Sequence, residues 1–105
     1  MTGGRPPFIR NISHVGTIKA KVPFIISLKA DWPTPSWEHM DTIVSIDNEK
    51  KEVNVSYLGL RRPGVALQVI KSFNVDLEVT LKEKGEWAII IKSRSENWES
   101  NIIVN

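Results

Sequence analysis

A chain of 105 residues, 41% hydrophobic and 25% charged, is long enough for one hydrophobic core and too short for two, so residues 1–105 are read as a single domain. The 14 basic and 12 acidic residues leave a net charge of +2 and are interspersed, with Arg61 and Arg62 the only adjacent arginines, which argues against a nucleic-acid module. The absence of cysteine excludes a disulfide scaffold, an iron–sulfur cluster and thiolate chemistry, and no apolar run approaches the roughly 20 residues of a membrane span or forms a signal segment near the start, so a soluble cytoplasmic protein is expected.

Ile and Val together supply 23 residues, and β-branched side chains fit the pleated, half-buried surface of a sheet. In chain order, an edge strand is expected near Phe8 to Ile12, tolerant of Pro6 and Pro7. A second strand places Phe24, Ile26, Leu28 and Ala30 on one face, and a single helical turn is expected at Pro35 to Met40, with Thr34 as its N-cap. Thr42 to Asp47 forms the third strand and Val53, Val55 and Tyr57 mark the inner face of the fourth, joined by a four-residue hairpin loop at Asn48 to Lys51. A fifth element spans Val65 to Ile70.

The clearest strand follows, since Phe73, Val75, Leu77, Val79 and Leu81 alternate with polar residues throughout. Glu83 to Gly85 turns the chain into Trp87 to Ile91, and Trp98 to Val104 closes the set. Seven or eight short strands separated by turn signals over about 100 residues imply an all-β, Greek-key sandwich.

Several short motifs stand in this order: His14-Val15, Pro23-Phe24, Pro33-Thr34-Pro35 followed by Glu38-His39, and Trp98-Glu99-Ser100. Their layout resembles that of the superoxide reductases, the neelaredoxins and the iron domain of desulfoferrodoxin, over roughly residues 12–104. The resemblance implies an immunoglobulin-like β-sandwich of about seven strands. In that family four histidines and one cysteine hold iron. His14 and His39 match two of the histidines, whereas Thr34, Lys92 and Ser95 stand at the other three ligand positions and Ser13 replaces a lysine common before the first histidine.

Two histidines cannot rebuild the family's iron centre, and the lysine ammonium has no lone pair to offer a metal. The resemblance therefore implies a non-catalytic domain with no cofactor. The alternative is an altered site in which His14 and His39, with a carboxylate from Glu38 or Asp41, hold iron or zinc weakly. A plain adhesion-type sandwich is the further alternative, because many functions share this architecture.

Other candidate residues come from the loops. Trp32 and Trp37 lie in a proline-rich connection, where they either cap the end of the sandwich or anchor a partner. Arg61 and Arg62 tip a loop and, with Lys92, form the candidate contacts for a protein partner or a small anion. Trp87 and Trp98 fall on inward phases of their strands and are assigned to the core. No serine–histidine–acid arrangement and no phosphate-cradling glycine pattern is present.

Overall fold

The computed structural model describes residues 4–64 and 69–105, and it is built from strands alone. They are β1 (Phe8–Ser13), β2 (Thr17–Ile18), β3 (Phe24–Trp32), β4 (Trp37–Asp47), β5 (Glu52–Arg61), β6 (Lys71–Val79), β7 (Gly85–Ile91) and β8 (Trp98–Val104). Two sheets result, one of three strands in the order β1-β3-β6 and one of five in the order β2-β8-β7-β5-β4. The all-β sandwich expected from alternation and turn spacing is the fold observed. No helix among the described residues is long and apolar enough to cross a membrane.

Strand phases follow the alternation closely. Ile26 is fully buried and Leu28 and Ala30 nearly so, while Val53, Val55, Leu81, Trp87, Ile89, Ile91 and Ile102 complete a core between the sheets. Trp87 adds a hydrogen bond from its indole N–H to the Glu83 carbonyl at 2.9 Å, so its one polar atom is satisfied. Trp98 is half-buried and packs on the edge of this core. The β4–β5 loop is made as expected: Asp47 Oδ1 accepts the backbone N–H groups of Glu49 and Lys50, each at 3.0 Å, and Lys51 closes the turn in the left-handed region at φ 55°.

Three features depart from the sequence reading. The helical turn at Pro35 to Met40 does not form; a tight turn at Thr34 to Ser36 leads straight into β4, whose residues Trp37, Glu38 and His39 pair with Arg61, Leu60 and Gly59. Thr34 precedes a proline, which disfavours helical backbone, and the ladder to β5 satisfies backbone groups that one isolated turn would leave open. Secondly, β5 pairs with β7 in parallel and β2 with β8 in parallel, so the large sheet is mixed. Thirdly, Val69 and Ile70 carry no strand, and the remainder of the fifth element expected at Val65 to Ile70 lies outside the described residues.

The start of β6 lies over β5, where the Phe73 and Tyr57 rings meet at 5.5 Å across the gap. On the opposite side, β1 lies over β7 and β8. There Ser93, just past β7, accepts the Ile9 N–H at 3.0 Å, and Ser100 of β8 bonds His14 at 2.7 Å.

Candidate functional site

The end of the sandwich where β3 leaves its sheet and β4 begins is lined by aromatic rings. Trp32, the last residue of β3, stacks on Trp37 with centroids 5.4 Å apart and planes 9° from parallel, and on Phe73 of β6 at 5.4 Å and 18°. Tyr57 tilts against Trp32 and Phe73, and His39 stacks on Tyr57 at 4.5 Å. Burial raises the pKa of the Tyr57 hydroxyl. Gly59 lies beneath Trp32, where any Cβ would come within 2.5 Å of the indole ring, so a side chain larger than hydrogen is excluded there.

Arg94 completes the stack. Its guanidinium sits 4.3 Å from the centre of the Trp37 ring and 5.5 Å from that of Phe8; with Trp32 on one face of Trp37, the arginine takes the other. Its Nε donates to the Pro6 carbonyl at 3.2 Å and its backbone N–H to the Pro7 carbonyl at 2.9 Å, which ties the N-terminal segment to the residues after β7. Desolvation, then the nearby Arg5, holds the Arg94 pKa below the usual guanidinium value, and its Nη2 is buried with no hydrogen-bond partner. The electron-rich face of Trp37 supplies the compensating attraction.

Beside this stack lies a groove of about 470 Å³ with apolar walls from Phe8, Trp32, Pro33 and Ile70, and with Arg10, Asp31 and Ser95 as its polar members. Arg10 Nε donates to Asp31 Oδ2 at 2.5 Å, and Ser72 donates to Asp31 Oδ1 at 2.7 Å. These hydrogen bonds, Arg10 first, lower the Asp31 pKa despite its burial. The same pair borders a second recess, which Lys29, Ser72 and Asn74 also line. Asp31 is thus a fixed, ionised anchor, and Arg10, with 58% of its side chain exposed, is held in place by it.

The residues singled out from sequence divide between this end and elsewhere. Trp32 and Trp37 are both here but are 2% and 8% exposed, so they form the cap of the sandwich and offer a partner little surface. His39 is exposed and bonded to Thr42 at 2.8 Å. Arg61 pairs with Trp37 across the ladder, and Arg62 meets Glu38 at 3.0 Å in an exposed ion pair of little energetic weight. Ser95 lines the groove. Lys92 does not; its N–H donates to Val55 O alongside β5, and its side chain is exposed.

The two histidines do not meet. His14 bonds Ser100 at 2.7 Å on β8, and the ladder runs from Ser100 through Ile89 and Val53 to Ile46 on β4. Three strand spacings are roughly 14 Å, and His39 lies about 20 Å farther along β4, so no one ion reaches both. Among the described residues no three His, Cys, Asp or Glu side chains gather in a metal-sized cluster.

Sequence reasoning missed Arg10, Asp31, Phe73 and Arg94 as members of this end. Asp31 carries the only available signal, a carboxylate directly after the apolar phase of a strand; Arg10 and Arg94 come from segments whose approach depends on sheet order. In comparisons with known proteins, no family model, no curated protein and no solved structure matches this chain.

Proposed function

We propose that the protein is a non-catalytic binding module whose recognition site is the groove between Phe8, Trp32, Pro33 and Ile70. The immunoglobulin-like, superoxide-reductase-like ancestry belongs to the same proposal, as a fold reused after its ligands were replaced. The observation that carries the reading is the Arg10–Asp31–Ser72 arrangement at the rim of an apolar groove. A guanidinium oriented by a buried carboxylate is a preorganised donor for an anion, and the apolar walls accept a hydrocarbon or aromatic body. Arg10 bonds Asp31 through Nε, which leaves the rest of its fork to reach a ligand carboxylate.

The ligand class is therefore an apolar group bearing a carboxylate, found both in small organic acids and at the C-terminal residue of a partner polypeptide. Titrating isotope-labelled protein with 3-phenylpropionate, followed by amide NMR, tests this. Saturable shifts are expected at Phe8, Arg10, Trp32, Ile70 and Ser95, with about tenfold weaker binding for 3-phenylpropanol and for Arg10→Gln. Equal affinity for acid and alcohol, or shifts confined to other strands, overturns the assignment. A C-terminal dipeptide ending in phenylalanine, run beside its amidated form, separates a polypeptide ligand from a small acid.

A further inference from the structure

The two long sides of the sandwich are finished differently. On the β1 side the edge is closed: Ile9 is 5% exposed, its N–H is taken by Ser93 Oγ, and the Pro7 carbonyl is taken by the Arg94 N–H. On the other side, among the described residues, β6 pairs only with β3 and β4 pairs only with β5. Because Phe73 of β6 meets Tyr57 of β5, none of the described strands lies over β4. The cross-strand pairs Val44–Val55 and Ile46–Val53 put Val44 and Ile46 on the core-facing side of the sheet, yet they are 39% and 41% exposed while Val53 and Val55 are fully buried. Across the gap Val75 and Leu77 of β6 are only half-buried. A recess of about 210 Å³ between Ile46 and Asn48 on one side and Thr80 and Lys82 on the other marks the lower end of this opening.

We propose that this open side accepts one extended segment of a partner polypeptide, which pairs with the free edge of β6 and covers Val44 and Ile46. Geometry selects a lone strand rather than the edge of another folded copy. A second copy docked through its own β6 would bring its β5, which lies beneath that β6, into the space that β4 already fills. A second copy docked through the regular part of β4, residues 41–47, in antiparallel register would set Asp41 against Asp47 at both ends of the pair, and like charges directly opposite destabilise a ladder. An unpaired segment brings no second layer and meets neither obstacle.

Charge defines the segment further. The outer face of β6 carries exposed Asp76 and Glu78. Successive residues of an added strand point to opposite faces. The matching sequence therefore alternates apolar residues, facing Val44, Ile46, Val75 and Leu77, with Lys or Arg, facing these carboxylates. Main-chain bonds to β6 would supply affinity and the alternation specificity, the mode of β-strand addition.

A nine-residue peptide alternating Val with Lys is the probe, with the same residues in two blocks and a Val/Glu alternation as controls. Binding is expected with Kd below about 1 mM, with amide shifts and slowed hydrogen exchange on β6 and shifts at Val44 and Ile46, leaving Phe8 and Trp32 unmoved. The block and acidic peptides should bind at least about tenfold more weakly, as should the alternating peptide with Glu78→Lys or with Val44→Lys/Ile46→Lys, substitutions at solvent-exposed positions whose fold is checked by circular dichroism. No binding up to that concentration, equal binding of the acidic peptide, or shifts along β1 or β2 overturns the proposal. So does a dimer of the free protein that protects these same residues, because a second copy would then be the occupant.

Discussion

Trp37 and Trp87 are both large buried rings, yet they hold different parts of the molecule. Trp87 is fully buried between the sheets, whereas Trp37 is sandwiched between Trp32 and Arg94 at the end of the fold. Of the two roles open to Trp37 from sequence, cap of the sandwich or anchor for a partner, its 8% exposure supports the cap. Either substitution to alanine should cost about 3–5 kcal/mol in denaturant unfolding, and the Trp37 variant should also release Arg94, whose buried Nη2 has no hydrogen-bond partner. Asp31 gives a test in pH. Arg10 and Ser72 lower its folded pKa below the ordinary 3.8, so the unfolded chain binds the proton more readily. The stability it adds is full above that ordinary value and is lost as pH falls toward the lower folded value. In acid titration from about pH 5 to about pH 2, Asp31→Asn should lose less stability than the parent protein, and an unchanged slope would show that the Arg10 and Ser72 bonds are not made in solution.

At the level of elements, the β4–β5 hairpin depends on close approach at Gly59. A Cβ there would lie 2.5 and 2.6 Å from Trp32 ring atoms and 2.8 Å from the Glu38 carbonyl oxygen, so neither the ring nor the backbone can yield without moving the stack. Gly59→Ala should therefore cost about 1–3 kcal/mol, measured by thermal or urea unfolding, and should change the near-ultraviolet signal of Trp32. The same hairpin shows where sequence reading stops. A strand with unbroken alternation, such as Phe73 to Val79, was legible because period two is visible in the residues themselves. β4 was legible only from Thr42, because Met40 is an extra residue between the pairs His39–Gly59 and Asp41–Leu58, and one inserted residue reverses the phase of everything before it. The candidate site was less legible still. Trp32 and Trp37 announced the end of the sandwich, but the groove needs Phe8 and Arg10 from β1, Ile70 before β6 and Ser95 before β8, a meeting set by sheet order and invisible to local pattern.

At the scale of the whole molecule one asymmetry stands out: the sandwich is closed along β1 and open between β6 and β4. Edge strands left unpaired are the usual points of association, and natural sheets restrain them with bulges and charges. β4 has both, in the bulge at Met40 and in Asp41 and Asp47, while β6 keeps a regular ladder edge flanked by Asp76 and Glu78. That division of roles favours an added segment at β6 over indiscriminate pairing of copies. Amide hydrogen exchange of the free protein, followed residue by residue by NMR, tests the asymmetry most directly. Slow exchange is expected for Ile26 and Leu28 in β3, Ile89 and Ile91 in β7 and Ile102 in β8, with fast exchange for those amides of β4 and β6 that face away from β5 and β3. Equally slow exchange along the outer edges of β4 and β6 would mean that these strands are already covered, and would contradict the open sandwich and the strand-accepting groove with it.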